Sequence, residues 1–399
     1  MIPRLKPYVG FGEIAAALDP NTDSVKQFEK AFARKFKAKY AVSFMYGRSG
    51  LYALFKCLNI KNAEIIMPAY TCVVVAHAIV KSGNIPRFVD IEPKTFNMNL
   101  SQVKKAINSK TRAIIGTSLF GYPFNNNRLK KIIKKSGKKI LLIQDCAHSF
   151  GAEYKGELLC NQGDAAIFGL NISKQITSIF GGMITTNNKL IYQKLIRYRG
   201  ENFKPASITK IIKNFVYLTT VEIAFIKFIY NIVNYLERRT NFTDRFTKYY
   251  RSNKIDMPND WLVKLPPINA QVGLVQLKKY DKIKKDRYEI AQYYHSKLSG
   301  LKNIYLPPII GGATYSHYVL RVKNKEDILL KALKKGIQLG WLIEYSIPDM
   351  AVYKKYAHGL FPVSKKCAKT TINLPNYPTL SKKHQQKIIN FIKEIDINI

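Results

Sequence analysis

A lysine among apolar neighbours can attack a carbonyl, because desolvation disfavours the ammonium ion and leaves a neutral amine. Lys174 stands in such a place. It ends the run Ala165-Ala-Ile-Phe-Gly-Leu-Asn-Ile-Ser-Lys174, and Gly181-Gly182 follows a few residues later. In a chain with 65 Lys plus Arg, any one lysine is by number a solvated surface group. A second candidate is Asp145, at the end of Leu141-Leu-Ile-Gln-Asp145, with His148 three residues on. An aspartate directly after apolar residues should emerge at the carboxyl end of a strand, although alone it reads better as a helix N-cap. The third is Phe44-Met-Tyr-Gly47-Arg48-Ser49-Gly50-Leu51. Glycines and a hydroxyl at a helix start suit phosphate, since free N–H groups and the helix dipole face the anion. Arg48 could add a charge-assisted contact. No GxGxxG or Walker lysine motif is present, and an ordinary helix start explains this segment about as well.

These residues need a scaffold that collects strand ends. Seven short β-rich runs are expected at 40–44, 64–67, 87–89, 113–117, 140–144, 165–168 and 182–185. Helical patterns lie between several of them, at 73–82, 100–108 and 127–135. Such alternation predicts an α/β fold with a mostly parallel sheet and helices on both faces. Ligands of such sheets gather at the carboxyl ends of the strands. Farther on, a charged helix is expected from Leu277 to Ser299, a strand at Tyr318–Val322, a helix at Glu326–Lys335 and a closing helix capped by Ser381. The chain is therefore divided into a large unit, 1–203, a basic and apolar helical insertion, 204–262, and a smaller α+β unit, 263–399.

Hydrophobic residues make up 47 % of the 399 and charged residues 23 %, enough for a real core. The formal net charge is +39. Such an excess suits polyanionic partners. It is spread along the chain, with no basic helix interleaved with aromatics of the kind that reads nucleic acid. Lysine filling solvent-facing positions accounts for it equally well. Five cysteines, Cys57, Cys72, Cys146, Cys160 and Cys367, have neither the number nor the spacing of a disulfide framework or a zinc site. They fit a reducing cytoplasm. The first residues hold no uninterrupted apolar run, so no signal peptide is expected.

The insertion contains a long apolar stretch, Asn214–Leu236. On one helix at about 100° per residue, Lys213, Thr220, Lys227, Asn231, Asn234 and Arg238 would share a narrow face opposite apolar residues. That pattern fits a helix lying in a membrane interface through 213–238. A helix or helical pair packed on the core fits it as well.

The order of the three motifs resembles the fold-type I pyridoxal-phosphate enzymes, and more narrowly the DegT/DnrJ/EryC1/StrS family of sugar aminotransferases. Further segments carry the resemblance: Glu64-Ile-Ile-Met-Pro-Ala-Tyr-Thr71, Phe88-Val-Asp90-Ile-Glu-Pro-Lys-Thr-Phe-Asn97, Gly151-Ala-Glu-Tyr-Lys-Gly156 and Ile372-Asn-Leu-Pro-Asn-Tyr-Pro-Thr-Leu-Ser381. It covers nearly the whole chain except about 204–260. It implies that Lys174 holds pyridoxal 5'-phosphate as a Schiff base and moves the proton. Asp145 would pair with the ring nitrogen, and His148 would stand beside the phenolic oxygen. Tyr70 lies in the segment that supplies a stacked ring, and Gly47, Arg48 and Ser49 would hold the phosphate. Two positions depart from the family pattern. Gly169 stands where a hydroxyl residue usually contacts phosphate, which suggests that Arg48 makes up the contact. Lys264 is what remains of an "N-Y-R" segment that reaches a neighbouring subunit's site.

The activity so implied is amino transfer from glutamate or glutamine to a keto-sugar, nucleotide-linked, by a homodimer, in amino-sugar or surface-polysaccharide synthesis. A sugar dehydratase on the same fold is the alternative, although such relatives replace the lysine with His. A non-catalytic membrane or nucleic-acid binding protein is another, and intact Lys174 and Asp145 speak against it.

Overall fold

The computed structural model describes residues 1–19, 21–239 and 254–397. All seven expected runs form strands of one sheet. They are β1 (Tyr40–Phe44), β2 (Glu64–Pro68), β3 (Ile85–Val89), β4 (Thr111–Thr117), β5 (Leu141–Asp145), β8 (Ala165–Gly169) and β9 (Gly182–Thr186). The small hairpin β6 (Glu153–Tyr154) and β7 (Glu157–Leu158) was not expected. The strand order is β1-β9-β8-β5-β4-β2-β3. Strands β8, β5, β4, β2 and β3 pair in parallel, and β9 runs antiparallel to both its neighbours. Most strand residues are buried on both faces, which is why these strands read as nearly unbroken apolar runs.

Register brings the ends of distant segments into one row. Thr117 pairs with Asp145, Asp145 with Ile167, Gly169 with Gly182, and Gly182 with Phe44. The carboxyl ends of β1, β4, β5 and β8 therefore lie side by side.

The long helix Pro267–Leu298 begins ten residues before the expected start. It packs on the helices Phe11–Ala17 and Ser24–Lys35 at one end and on Lys382–Ile397 at the other. The C-terminal unit pairs Tyr318–Arg321 with Thr371–Leu374 antiparallel. Helices Lys325–Lys334 and Lys382–Ile397 flank this pair, and Ser381 Oγ accepts the His384 N–H (3.3 Å) as a cap. Ile2 bridges to Ile337, so the chain start joins this unit.

Of the readings open for the insertion, the helical pair packed on the core is the one found, and not a single continuous helix. It forms two helices, Ile208–Ala224 and Lys227–Arg239, with a bend of 108° between them. The continuous polar stripe is therefore broken. Of its members, Asn234 turns inward and is buried, whereas Lys213, Thr220 and Asn231 face solvent; Asn214, which lies outside that stripe, is buried as well. The side chains of Lys227 and Arg238 lie outside the described residues. The bend follows from where each helix is tied. Asn214 Nδ2 donates to Asn269 Oδ1 (2.8 Å). Tyr230 donates its hydroxyl to Gln338 in the C-terminal unit. Among the described residues, no single helix is long and apolar enough to cross a membrane.

Candidate active site

Asp145 ends β5, and its carboxylate Oδ1 accepts the Ala147 N–H (3.1 Å). Burial pushes this carboxyl above the usual range, with the Ala147 N–H and the Lys174 charge opposing the shift. Lys174 follows β8 in the loop that returns to β9. Burial holds its amine below the ordinary lysine value, while the nearby Cys72 and Asp145 pull it back up. A lysine so placed supplies neutral amine more readily than a surface lysine. The loop is closed by Leu170 N–H to Gly181 O (2.8 Å) and Ser178 N–H to Leu170 O (2.9 Å).

His148 also reaches this cluster. Its Nδ1 accepts the Phe120 N–H (3.4 Å), and the two rings stack with centroids 6.0 Å apart. That bond places the proton of the neutral ring on Nε2. Burial first, and then the Lys174 and His317 charges, hold His148 well below the usual imidazole value. Phe120 adopts φ 57°, a left-handed conformation that is uncommon outside glycine.

The turn Tyr46–Ser49 starts the helix Gly47–Cys57 beside the end of β8. A Cβ added at Gly47 would lie 3.0 Å from the Phe168 carbonyl oxygen. A Cβ at Gly182 would lie 2.2 Å from both the Gly47 nitrogen and the Tyr46 carbonyl carbon. The Gly181-Gly182 step thus admits the turn to the sheet. Gly47 and Arg48 carry the first N–H groups of the helix, which no earlier turn of it can satisfy. Arg48 is 9 % exposed, with its guanidinium 5.4 Å from the Tyr46 ring. Ser49 commits its hydroxyl to the Trp261 carbonyl (2.6 Å) and its N–H to the Tyr46 carbonyl (3.1 Å). Ser49 thus has both its hydroxyl and its N–H committed within the protein. At Gly169 a Cβ would meet only Lys174 Cε at 3.5 Å and Ala147 Cβ at 3.7 Å, so packing does not demand glycine there.

Tyr70 does not join this group. It is fully buried, donates its hydroxyl to the Ile343 carbonyl (3.1 Å) and packs 6.1 Å from the Phe96 ring. These contacts tie the large unit to the C-terminal one. Its segment instead presents Cys72, whose thiol burial pushes up and which feels the charges of Lys174, Arg48 and Asp145. Sequence reading also passed over His317, 5.2 Å from His148 by ring centroids. Burial, Arg287 and Lys174 pull His317 down to about 3. Arg287 is itself buried and donates to the carbonyls of Ser316 (2.9 Å) and Asn376.

The loop after Lys174 is held from outside the large unit. Asn269 Nδ2 donates to the carbonyls of Ser178 (2.7 Å) and Phe180 (2.8 Å). Between them Ile179 has φ 68°, an outlier for a β-branched residue that costs about 1–3 kcal/mol. Ile179 packs in a cluster with Leu218 of the first insertion helix, and the Phe180 and Tyr217 rings lie 4.9 Å apart.

The family model described as DegT/DnrJ/EryC1/StrS aminotransferase family matches residues 18–216 and 243–393. The chain belongs to that family. The aminotransferase is similar to an uncharacterized protein of Methanocaldococcus jannaschii, 27 % identical over 99 % of this chain and 97 % of the relative. GDP-perosamine synthase of Escherichia coli O157:H7 is 25 % identical over 93 % of this chain and 89 % of its own. The fold matches Spr1654 of Streptococcus pneumoniae in its PLP form, with TM-score 0.78 and 21 % identity, covering 100 % of this chain and 99 % of that one. The gap in the family match, 217–242, falls within the insertion.

The cofactor of this aminotransferase is pyridoxal 5'-phosphate, and the residues present fit it. A buried carboxylate, an amine held toward its neutral form and a helix N-terminus converge at one sheet edge. They are the partners required by a ring nitrogen, an aldehyde and a phosphate.

Proposed function

We propose that this aminotransferase passes an amino group from glutamate or glutamine to a nucleotide-linked keto-sugar, in amino-sugar or surface-polysaccharide synthesis. The observation that carries the chemistry is Lys174, its amine kept toward the neutral form beside the buried Asp145. The sugar acceptor draws support from the likeness to GDP-perosamine synthase.

Bound pyridoxal phosphate supplies an aldehyde to receive the amino group and a cationic ring that takes up electrons when a C–H bond breaks. The chain's own residues do the rest. Lys174 would hold the cofactor between turnovers and carry the proton between carbon atoms. Asp145, as its carboxylate, would pair with the ring nitrogen and favour its protonated form. His148, with its proton on Nε2, would donate beside the ring, while Gly47 and Arg48 would take the phosphate. In this reading the protein is cytoplasmic and works as a homodimer, with peripheral membrane contact through 213–238.

A half-reaction tests the function. The enzyme is loaded with the amine form of the cofactor and offered a panel of keto-sugar nucleotides. Return of the lysine-bound absorbance with one of them is expected. No return with any sugar nucleotide, but return with simple keto acids, would remove the sugar from the proposal.

A further inference from the structure

Helices on a protein surface ordinarily turn their apolar side inward and their polar side out. Both insertion helices bury apolar residues, Leu218 among them, yet also turn a second apolar stripe outward. In Ile208–Ala224, the large side chains at Ile208, Ile212, Val216 and Ile223 recur on one stripe and are 51–76 % exposed. The buried side of the same helix carries Asn214, bonded to Asn269. In Lys227–Arg239, Phe228 is 73 % and Ile232 46 % exposed, while Tyr230 and Asn234 are buried. Seventeen exposed large hydrophobics are found among the described residues, and nine lie between 208 and 236, so the patch is concentrated.

We infer that this outward apolar face, Ile208 to Ile232, docks in the interface of an anionic lipid surface. Three observations favour lipid over a second copy of the chain. The segment 204–254 carries ten Lys/Arg and three Asp/Glu within a chain of net charge +39. Lys204, Lys213 and Lys254 of that segment are exposed, and two copies pressed together would oppose two chains of net charge +39, whereas acidic headgroups neutralise such charge. Lys213 is exposed beside Ile212, where a basic side chain meets headgroups while its apolar neighbours enter the acyl boundary. The 108° bend and the inward ties at Asn214 and Tyr230 hold both helices against the protein, so their outer stripe is free to rest on a bilayer.

This deepens the membrane contact of the proposed function and rests on that reading, so the test separates the two. The full-length enzyme is sedimented with vesicles of phosphatidylcholine plus phosphatidylglycerol, and with phosphatidylcholine alone. Wild type should pellet with the anionic vesicles, weaken as salt rises, and stay in solution with the neutral ones. The double variant Ile212→Glu, Phe228→Glu should lose binding at least about tenfold while keeping wild-type cofactor absorbance and half-reaction rate. Three outcomes overturn the inference: no binding at low salt; binding kept by the double variant, which makes the contact purely electrostatic; or a wild-type oligomer that the double variant dissociates. An enzyme that binds vesicles but fails the half-reaction refutes the proposed function and leaves the docking intact.

Discussion

Gly182 lies so close to the turn at Gly47 that a methyl group on its Cα would stand 2.2 Å from the Gly47 nitrogen. The atoms opposing it are backbone, which cannot swing aside. Gly182→Ala should therefore push the turn at Gly47 from the sheet. The expected result is a loss of about 2 kcal/mol of stability and a drop of at least about tenfold in cofactor affinity, read by denaturant unfolding and absorbance titration.

Lys174→Ala should abolish the lysine-bound cofactor absorbance and lower turnover at least about 10³-fold. The fold should survive, because Lys174 is half-buried and burial disfavours its charged form, so its removal leaves no stabilising charge unmet. Normal absorbance in this variant would overturn the assignment of the lysine.

Arg48 and Gly169 make a coupled pair of tests. Arg48→Ala should weaken cofactor binding about tenfold, the worth of one charge-assisted contact. Since a Cβ fits at Gly169, Gly169→Ser should be tolerated and should recover part of that loss in the double variant. Unchanged affinity in Arg48→Ala would show that the arginine does not hold the phosphate.

Two neighbouring residues of one segment should behave oppositely. Tyr70→Phe removes the hydroxyl that donates to the Ile343 carbonyl and meets Thr371, so it should cost about 1 kcal/mol of stability and leave cofactor affinity unchanged. Cys72, within reach of the Lys174 and Arg48 charges, should be protected from alkylation when cofactor is added. Labelling of Cys72 at the same rate with and without cofactor would place it outside the site.

His317 sets an acid limit on stability. Its folded-state value, about 3, lies below the ordinary 6.5. Below the ordinary value the unfolded chain takes up a proton that the folded one refuses. The stabilisation is complete above about pH 6.5 and is lost as pH falls toward about 3, by up to about 1.4 kcal/mol per pH unit. His317→Asn should flatten the decline of unfolding free energy between about pH 7 and about pH 4. An unchanged slope would mean that His148, shifted the same way, accounts for it alone.

The sheet was legible because interior parallel strands are short apolar runs between turn residues, and each of the seven declared itself locally. Lys174 and Asp145 were legible through their order along the chain. Cys72 was missed because the aromatic Tyr70 two residues earlier drew attention from the smaller thiol, and the bend that separates their surroundings does not show in the sequence. His317 could not be found by spacing, since the fold carries it in from the C-terminal unit; its place beside the buried Arg287 shows only in three dimensions. The insertion was legible as a helical pair but not in its facing. Lys213, Thr220 and Asn231 of its polar stripe do face solvent, but Asn234 is buried and the apolar residues divide between the core and the outside, and spacing could not show that Asn214 meets Asn269.

That last bond bears on how the protein can be trimmed and how it can vary. Residues 204–262 look like an ornament to be excised for a better-behaved enzyme. Cutting them out would strip Leu218 and Asn214 from the strained turn at Ile179, and the reactive loop would slacken with them. A more soluble enzyme is better sought by repainting the outer stripe and leaving the inner one alone. Across lineages, Asn214 and Asn269 should be inherited or lost as a pair, because either amide alone would be sealed from water without its mate.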